Sequence, residues 1–154
     1  GLTNPPEGAL SDPRHPKLGW RFYSKDAKKF DQRVNWTKLR VNYVIPEYGS
    51  ELTDESYILE MGFERLHGVD FKKGCYVGQE VTARMKHKTE LRKGLVKILS
   101  QHEISNGEEL FLDDKSIGAI LTTYGKSALA YVRLKNRDAI LSTKNSKKIV
   151  IVKD

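Results

Sequence analysis

Cys75 is the single cysteine of a 154-residue chain, and its neighbours decide what its sulfur could do. It stands in the run Lys72–Lys73–Gly74–Cys75–Tyr76–Val77–Gly78–Gln79–Glu80, followed by Val81–Thr82–Ala83–Arg84. Two glycines bracket the thiol, and a tightly bent chain would use Gly74 and Gly78 where positive φ or close backbone approach is needed. Gln79 to Arg84 reads as the start of a helix. That arrangement would set Cys75 near the positive end of a helix macrodipole, with Lys72 and Lys73 alongside, and both influences favour thiolate over thiol.

A thiolate can serve as nucleophile, metal ligand or redox centre, and each role needs different companions. Structural zinc takes about four ligands, usually with a Cys or His pair at short spacing. Here no second cysteine exists, and His67 and His87 lie well to either side. An iron-sulfur cluster generally takes four cysteine ligands, so permanent coordination by this chain alone is not expected. A cysteine hydrolase would need a histidine base in space, and His15, His67, His87 and His102 are unplaced by the sequence. An isolated cysteine is more often a small buried apolar residue. Lys73 before it and Gln79–Glu80 after it make a dry surrounding improbable, which brings the two readings level.

The elements that hold this segment are of two kinds. Residues Leu2 to Lys17 contain four of the five prolines with Gly8, and read as an extended irregular lead-in. Leu18 to Tyr23 alternates like a strand, and Ser24 to Asp26 offers capping chemistry for a following helix. From Phe30, the positions Val34, Leu39, Val41, Val44 and Ile45 are spaced as a helix that Pro46 stops before Gly49. Leu59, Phe63 and Leu66 suit a second short helix, and Asp70 to Gly74 a loop. After Lys88 short strands are expected over Leu95–Leu99, Glu109–Leu112, Ile117–Tyr124, Ser127–Leu134 and Lys147–Val152. Turn chemistry at Asn106–Gly107, Asp113–Asp114, Gly125–Lys126 and Asn145–Ser146 separates them. Such spacing argues for a small antiparallel barrel or sandwich. The fold class is therefore α+β, divided near residue 90 into an α+β region over 1–89 and a β-barrel over 90–154.

Composition bounds the function classes. A hydrophobic fraction of 38% with 31% charged residues is globular. No run approaches the roughly 18 apolar residues of a membrane span. A lone cysteine excludes a disulfide-stapled scaffold and favours a reducing compartment. A chain starting at Gly1 is expected to lack its natural start. The 27 basic against 20 acidic residues give +7, which favours anionic partners. The densest cluster, Lys86–His87–Lys88 with Arg92–Lys93, reads first as a solvated face.

Lys73–Gly74–Cys75–Tyr76–Val77–Gly78–Gln79–Glu80 resembles the Lys-Gly-Cys-aromatic-any-Gly-Gln-Glu signature of the YgfZ family at every fixed position. The resemblance extends to Asp12–Pro13–Arg14 with Leu18–Gly19, to Ile45–Pro46–Glu47, to Gly68–Phe71 and to Ser127–Leu134. It covers most of the chain but only the carboxy-terminal half of the family. It implies a partial aminomethyltransferase-like folate-binding domain followed by a small antiparallel β-barrel. It further implies a tetrahydrofolate-binding accessory factor for iron-sulfur cluster assembly or repair. The folate site would lie mostly upstream of these residues. Implied partners are iron-sulfur client enzymes such as radical SAM proteins, and folate; with no membrane-length apolar run no membrane is expected, and nucleic acid is the less favoured partner class. The implied location is bacterial cytoplasm or the mitochondrial matrix. Cys75 is carried over as the functional thiol, Lys73, Gly74, Tyr76, Gly78, Gln79 and Glu80 as its motif, and Arg84 after them; no resident metal is implied.

A true aminomethyltransferase, passing a one-carbon unit to tetrahydrofolate, is the competing reading, and the Lys-Gly-Cys signature speaks against it. Single-strand binding by the barrel, with Tyr124 and Tyr131 stacking bases, is a weaker third, since strand aromatics are more often core.

Overall fold

In the computed structural model, residues 4–25, 34–88 and 90–152 are described. Six strands close into an antiparallel barrel: β3 (Lys93–Ser100), β4 (Glu109–Leu112), β5 (Lys115–Tyr124), β6 (Ser127–Arg133), β7 (Ile140–Thr143) and β8 (Lys148–Ile151). Their order around the wall is β3-β6-β5-β4-β7-β8. Ahead of them lie a two-stranded ladder of β1 (Leu10–Ser11) and β2 (Trp20–Arg21), then helices α1 (Trp36–Tyr43) and α2 (Gln79–Lys88).

Alternation fills the barrel. Val96, Ile98, Leu110, Ile117, Ile120, Val132, Leu141, Ile149 and Ile151 point inward and form one core with the small Ala128 and Ala130. A six-stranded bore is narrow, and small residues on β6 leave room for the branched side chains opposite. Two irregularities on β5 keep its inward face continuous. The register shifts between Leu110 and Phe111 leave Ile117 as the extra residue opposite β4, so Ile117 and Ile120 both reach the core although three positions apart. Gly118 faces β6 with no room for a side chain: a Cβ there would lie 2.2 Å from the Tyr131 carbonyl oxygen.

Hairpin chemistry follows the turn residues. Asp113 and Asp114 both have positive φ, which suits the twist of a two-residue β4–β5 connection. Ser146 takes the left-handed position between β7 and β8, and its N–H donates to the Thr143 carbonyl at 2.9 Å.

The residues before the barrel are held differently. Asn35 caps α1 by accepting from the Lys38 N–H at 2.8 Å, and Val44 ends it in the left-handed conformation. Val41 and Val44 pack on Leu129 and Leu95, the outward-facing residues of β6 and β3, so α1 lies on the barrel's outer wall. Leu18, Ile45 and Leu66 make a second small cluster with Leu39 and Tyr43. Polar clamps supply the rest. Arg40 is buried and pairs with the fully buried Glu51 and with Glu47 at 2.7 Å, and its Nε donates to the Ile45 carbonyl. Asp12 is likewise buried and accepts from the Arg14 backbone and guanidinium and from Arg21 at 2.8–3.0 Å. Those hydrogen bonds, the Arg14 side chain's first, hold the Asp12 carboxyl well below the usual carboxylate range despite its burial.

Several expectations change here. The first helix is shorter than the spacing suggested, because Val44 and Ile45 lie beyond its left-handed cap and Val34 is exposed; the Asp26 and Phe30 readings fall outside the described residues. Leu18–Tyr23 pairs only through Trp20 and Arg21, while Leu18 closes a single helical turn, Pro16–Leu18. The segment around Leu59, Phe63 and Leu66 is a chain of turns, not a helix. Gly62 and His67 have positive φ, which breaks the i-to-i+4 ladder each time it starts. The strand β7 was not foreseen. The expected barrel and the helix from Gln79 are present.

Candidate functional site: an exposed thiol on a capped loop

The loop from Asp70 to Gly78 enters α2. Asp70 Oδ1 accepts from the Lys72 N–H at 2.7 Å and closes the first bend. The second bend is locked reciprocally: the Tyr76 N–H donates to Gln79 Oε1 at 3.2 Å, and the Gln79 N–H to the Tyr76 carbonyl at 3.3 Å. A side chain three residues on that satisfies the backbone N–H at a helix start is half of a capping box. Gln79 thereby fixes the backbone immediately after Cys75. Gly78, at φ +83°, makes this reversal without strain. Gly74 does not share that role: its φ is not in the left-handed region, and a Cβ there meets nothing within 4 Å. The bend thus falls after the thiol, and the expectation that both glycines were conformationally required is corrected.

Cys75 is a free, exposed thiol. Its side chain has no hydrogen-bond or ion-pair partner among the described residues, and three of the histidines are engaged elsewhere. His15 stacks on Tyr43, His67 Nδ1 meets the Pro13 carbonyl oxygen at 2.9 Å, and His87 lies edge-on to Phe71. Among the described residues no histidine is hydrogen-bonded to the sulfur as the base of a cysteine hydrolase would be. Among the described residues no group of three His, Cys, Asp or Glu side chains converges as a metal site.

The rest of the signature surrounds the sulfur without enclosing it. Lys73 Nζ sits 4.8 Å from the centroid of the Tyr76 ring, a cation–π contact that pins the tyrosine beside the thiol. Glu80 and Arg84 form an exposed i,i+4 pair at 2.8 Å. Val77 projects fully into solvent at the tip, and Val81 is half exposed one turn along. Apolar side chains presented in this way beside an exposed thiol suit contact with another protein.

Sequence reasoning missed what fixes α2 to the body. Lys86 belongs to the cluster read as a solvated face, yet its Nζ pairs with Glu64 at 2.5 Å and lies over the Phe71 ring. Glu60 fastens the turn segment to the barrel, its carbonyl accepting from the Leu95 N–H at 2.8 Å and its carboxylate from the Tyr131 hydroxyl. Burial and then that carboxylate push the Tyr131 hydroxyl's pKa far up, so it stays a donor. Lys93 Nζ lies over the same ring, so Tyr131 is engaged within the fold at both its hydroxyl and its face. In the sequence Tyr131 is discounted as a base-stacking residue on the ground that strand aromatics are more often core, and its partner, Glu60, carries no sequence signal.

No helix among the described residues is long and apolar enough to cross a membrane. Residues 92–151 match the family model described as CAF17, C-terminal beta-barrel domain. The chain is 36% identical over 94 residues to the mitochondrial iron-sulfur cluster assembly factor IBA57 homolog of Mycosarcoma maydis, covering 55% of this chain and 23% of the relative. It is 42% identical over 104 residues to the Neurospora crassa homolog (62% and 24%) and 32% over 94 residues to IBA57 of Homo sapiens (56% and 26%). The matched segment thus spans about a quarter of the length of these curated relatives. These matches do not single out YgfZ. The closed barrel from β3 through β8 is thus the part of the chain that is similar to the CAF17 C-terminal beta-barrel domain, and the curated relatives named here are described as iron-sulfur cluster assembly factors.

Proposed function

We propose that this chain is the thiol-bearing and barrel part of an accessory factor for iron-sulfur cluster assembly or repair, with Cys75 as its functional sulfur. The observation that carries the reading is the placement of Cys75. The only thiol of a chain similar to iron-sulfur assembly factors is exposed and unpartnered, on a loop that Gln79 and Gly78 hold in shape.

A single sulfur can supply only one of the roughly four thiolates that a cluster usually takes. The remaining ligands would come from the partner, so the cluster is cargo shared at the encounter. Val77 and Val81 then provide apolar contact around the sulfur, while the Gln79 cap keeps the loop from paying an ordering cost on docking. Client enzymes, radical SAM proteins among them, are the partners this reading assigns. The mitochondrion is the compartment it extends to this chain from the relatives' names.

The signature's resemblance adds an aminomethyltransferase-like body and tetrahydrofolate. A planar ring system calls for an enclosed, largely apolar slot, whereas the cleft at the barrel end and the hollow that joins it to α2 are open and carry mostly charged side chains, which do not suit that cofactor. We place the folate site outside these residues and route no step through it.

Cys75→Ser in the chromosomal gene tests the proposal. Iron-sulfur enzyme activities should fall to the level of the gene deletion while the protein's abundance is unchanged. Wild-type activities in the serine strain would remove Cys75 from the mechanism.

A further inference from the structure

At one end of the barrel, a cleft of about 700 Å3 opens between the chain entering β3 and the turn leaving β6. Four exposed cations, Arg92, Lys93, Arg133 and Lys135, surround half-buried Leu91 and Leu134, and Glu90 is the lone carboxylate. The volume lies within the roughly 300–1,000 Å3 of ligand-binding clefts. Its walls are pinned to each other, because the Leu134 N–H donates to the Arg92 carbonyl at 2.9 Å. Gly94 makes room for the floor: a Cβ there would meet both Leu134 methyl carbons at 3.2 Å. Arg40, Arg84, Lys86 and Lys147 each hold a carboxylate, whereas Arg92, Arg133 and Lys135 have no ion-pair partner among the described residues. A smaller hollow shares Glu90, Leu91 and Arg92 and adds Glu60 and Met85, so the cleft continues to α2. Met85 is six residues beyond Gln79, about 9 Å along the helix axis. The basic cleft and the Cys75 loop are thus joined by one short rigid element.

We propose that this cleft docks an acidic segment of a partner protein, one with carboxylates flanking an aliphatic side chain. Unpaired cations around an apolar floor have the layout of a protein interface, with a polar rim about an apolar centre. Desolvated carboxylates meeting arginine forks give orientation as well as attraction. A nucleic acid fits less well, since no aromatic side chain lines the cleft to stack a base. The proposal rests on the preceding reading only in calling the partner a cluster-handling protein.

The test is fluorescence anisotropy on the full chain with a short fluorescein-labelled peptide of alternating glutamate and leucine. A polyglutamate peptide and single-stranded oligothymidylate serve as comparators. The glutamate–leucine peptide should bind most tightly, and the double reversal R92E/R133E should weaken it at least about tenfold, with an unchanged circular dichroism spectrum. L134A should weaken it while leaving polyglutamate binding unaltered. Equal binding to the double reversal, or oligothymidylate binding as tightly as the peptide, would overturn the proposal. C75S should bind the peptide like wild type. Loss of the cleft effect with the serine phenotype intact sinks the docking site alone, and the converse sinks the thiol reading alone.

Discussion

The barrel and the segment that precedes it are stabilised by opposite means. The barrel buries a continuous apolar core, and its polar groups are spent on the strand ladder. The preceding segment has two small apolar clusters and depends on the Arg40–Glu47–Glu51 network, the Asp12–Arg14–Arg21 clamp and the Glu60–Tyr131 tie. The Cys75 loop sits at the far extreme, held by two side-chain hydrogen bonds to its own backbone, from Asp70 and Gln79, with almost no burial. Apolar closure makes a rigid platform, polar clamps hold short irregular elements on it, and the thiol is left reachable.

Mutation can break that contrast. Arg40→Leu strands the buried Glu51 carboxylate and should cost about 3–5 kcal/mol in urea unfolding. Ile120→Ala empties part of the barrel core and should cost about 2–5 kcal/mol. The two should differ in kind: hydrogen exchange in the arginine variant should rise in residues 34–52 first, whereas the isoleucine variant should loosen the strands. Gly118→Ala forces a methyl against the β6 backbone and should cost about 1–3 kcal/mol, with exchange rising at Tyr131 and Val132.

Acid sharpens the comparison. Asp12 binds its proton less readily folded than unfolded, so the stability it contributes is present above about pH 4 and is lost as pH falls through its lowered folded value. Glu108 follows the same sign. Burial alone would raise its carboxyl, but Lys147 and the Ser105 N–H outweigh that and hold it low. Between pH 5 and pH 3, Asp12→Asn should flatten the acid loss of stability relative to wild type. The smallest effects belong to the loop. Gly78→Ala should cost about 1 kcal/mol for its positive φ, and Gly74→Ala should stay within about 0.5 kcal/mol.

The barrel was legible because its signals are local: period-two alternation, and turn pairs such as Asp113–Asp114 whose conformations the residues themselves prefer. β7 escaped because Ile140–Thr143 is four residues long and follows a turn of polar residues with no strong punctuation. Around the site, the helix at Gln79 and the bend at Gly78 could be read from residue types. The buried clamps could not, since Arg40 and Glu51 look like surface charges until tertiary contacts bury them. Gly74 shows the opposite error, a glycine in a signature whose backbone is ordinary, so its presence there is not explained by conformation.

The most direct measurement is the alkylation rate of Cys75 by N-ethylmaleimide in the native protein and in urea. An exposed thiol on a loop that needs no opening should react natively within about threefold of its unfolded rate. Native protection of about a hundredfold or more would place the sulfur inside the fold and contradict the account.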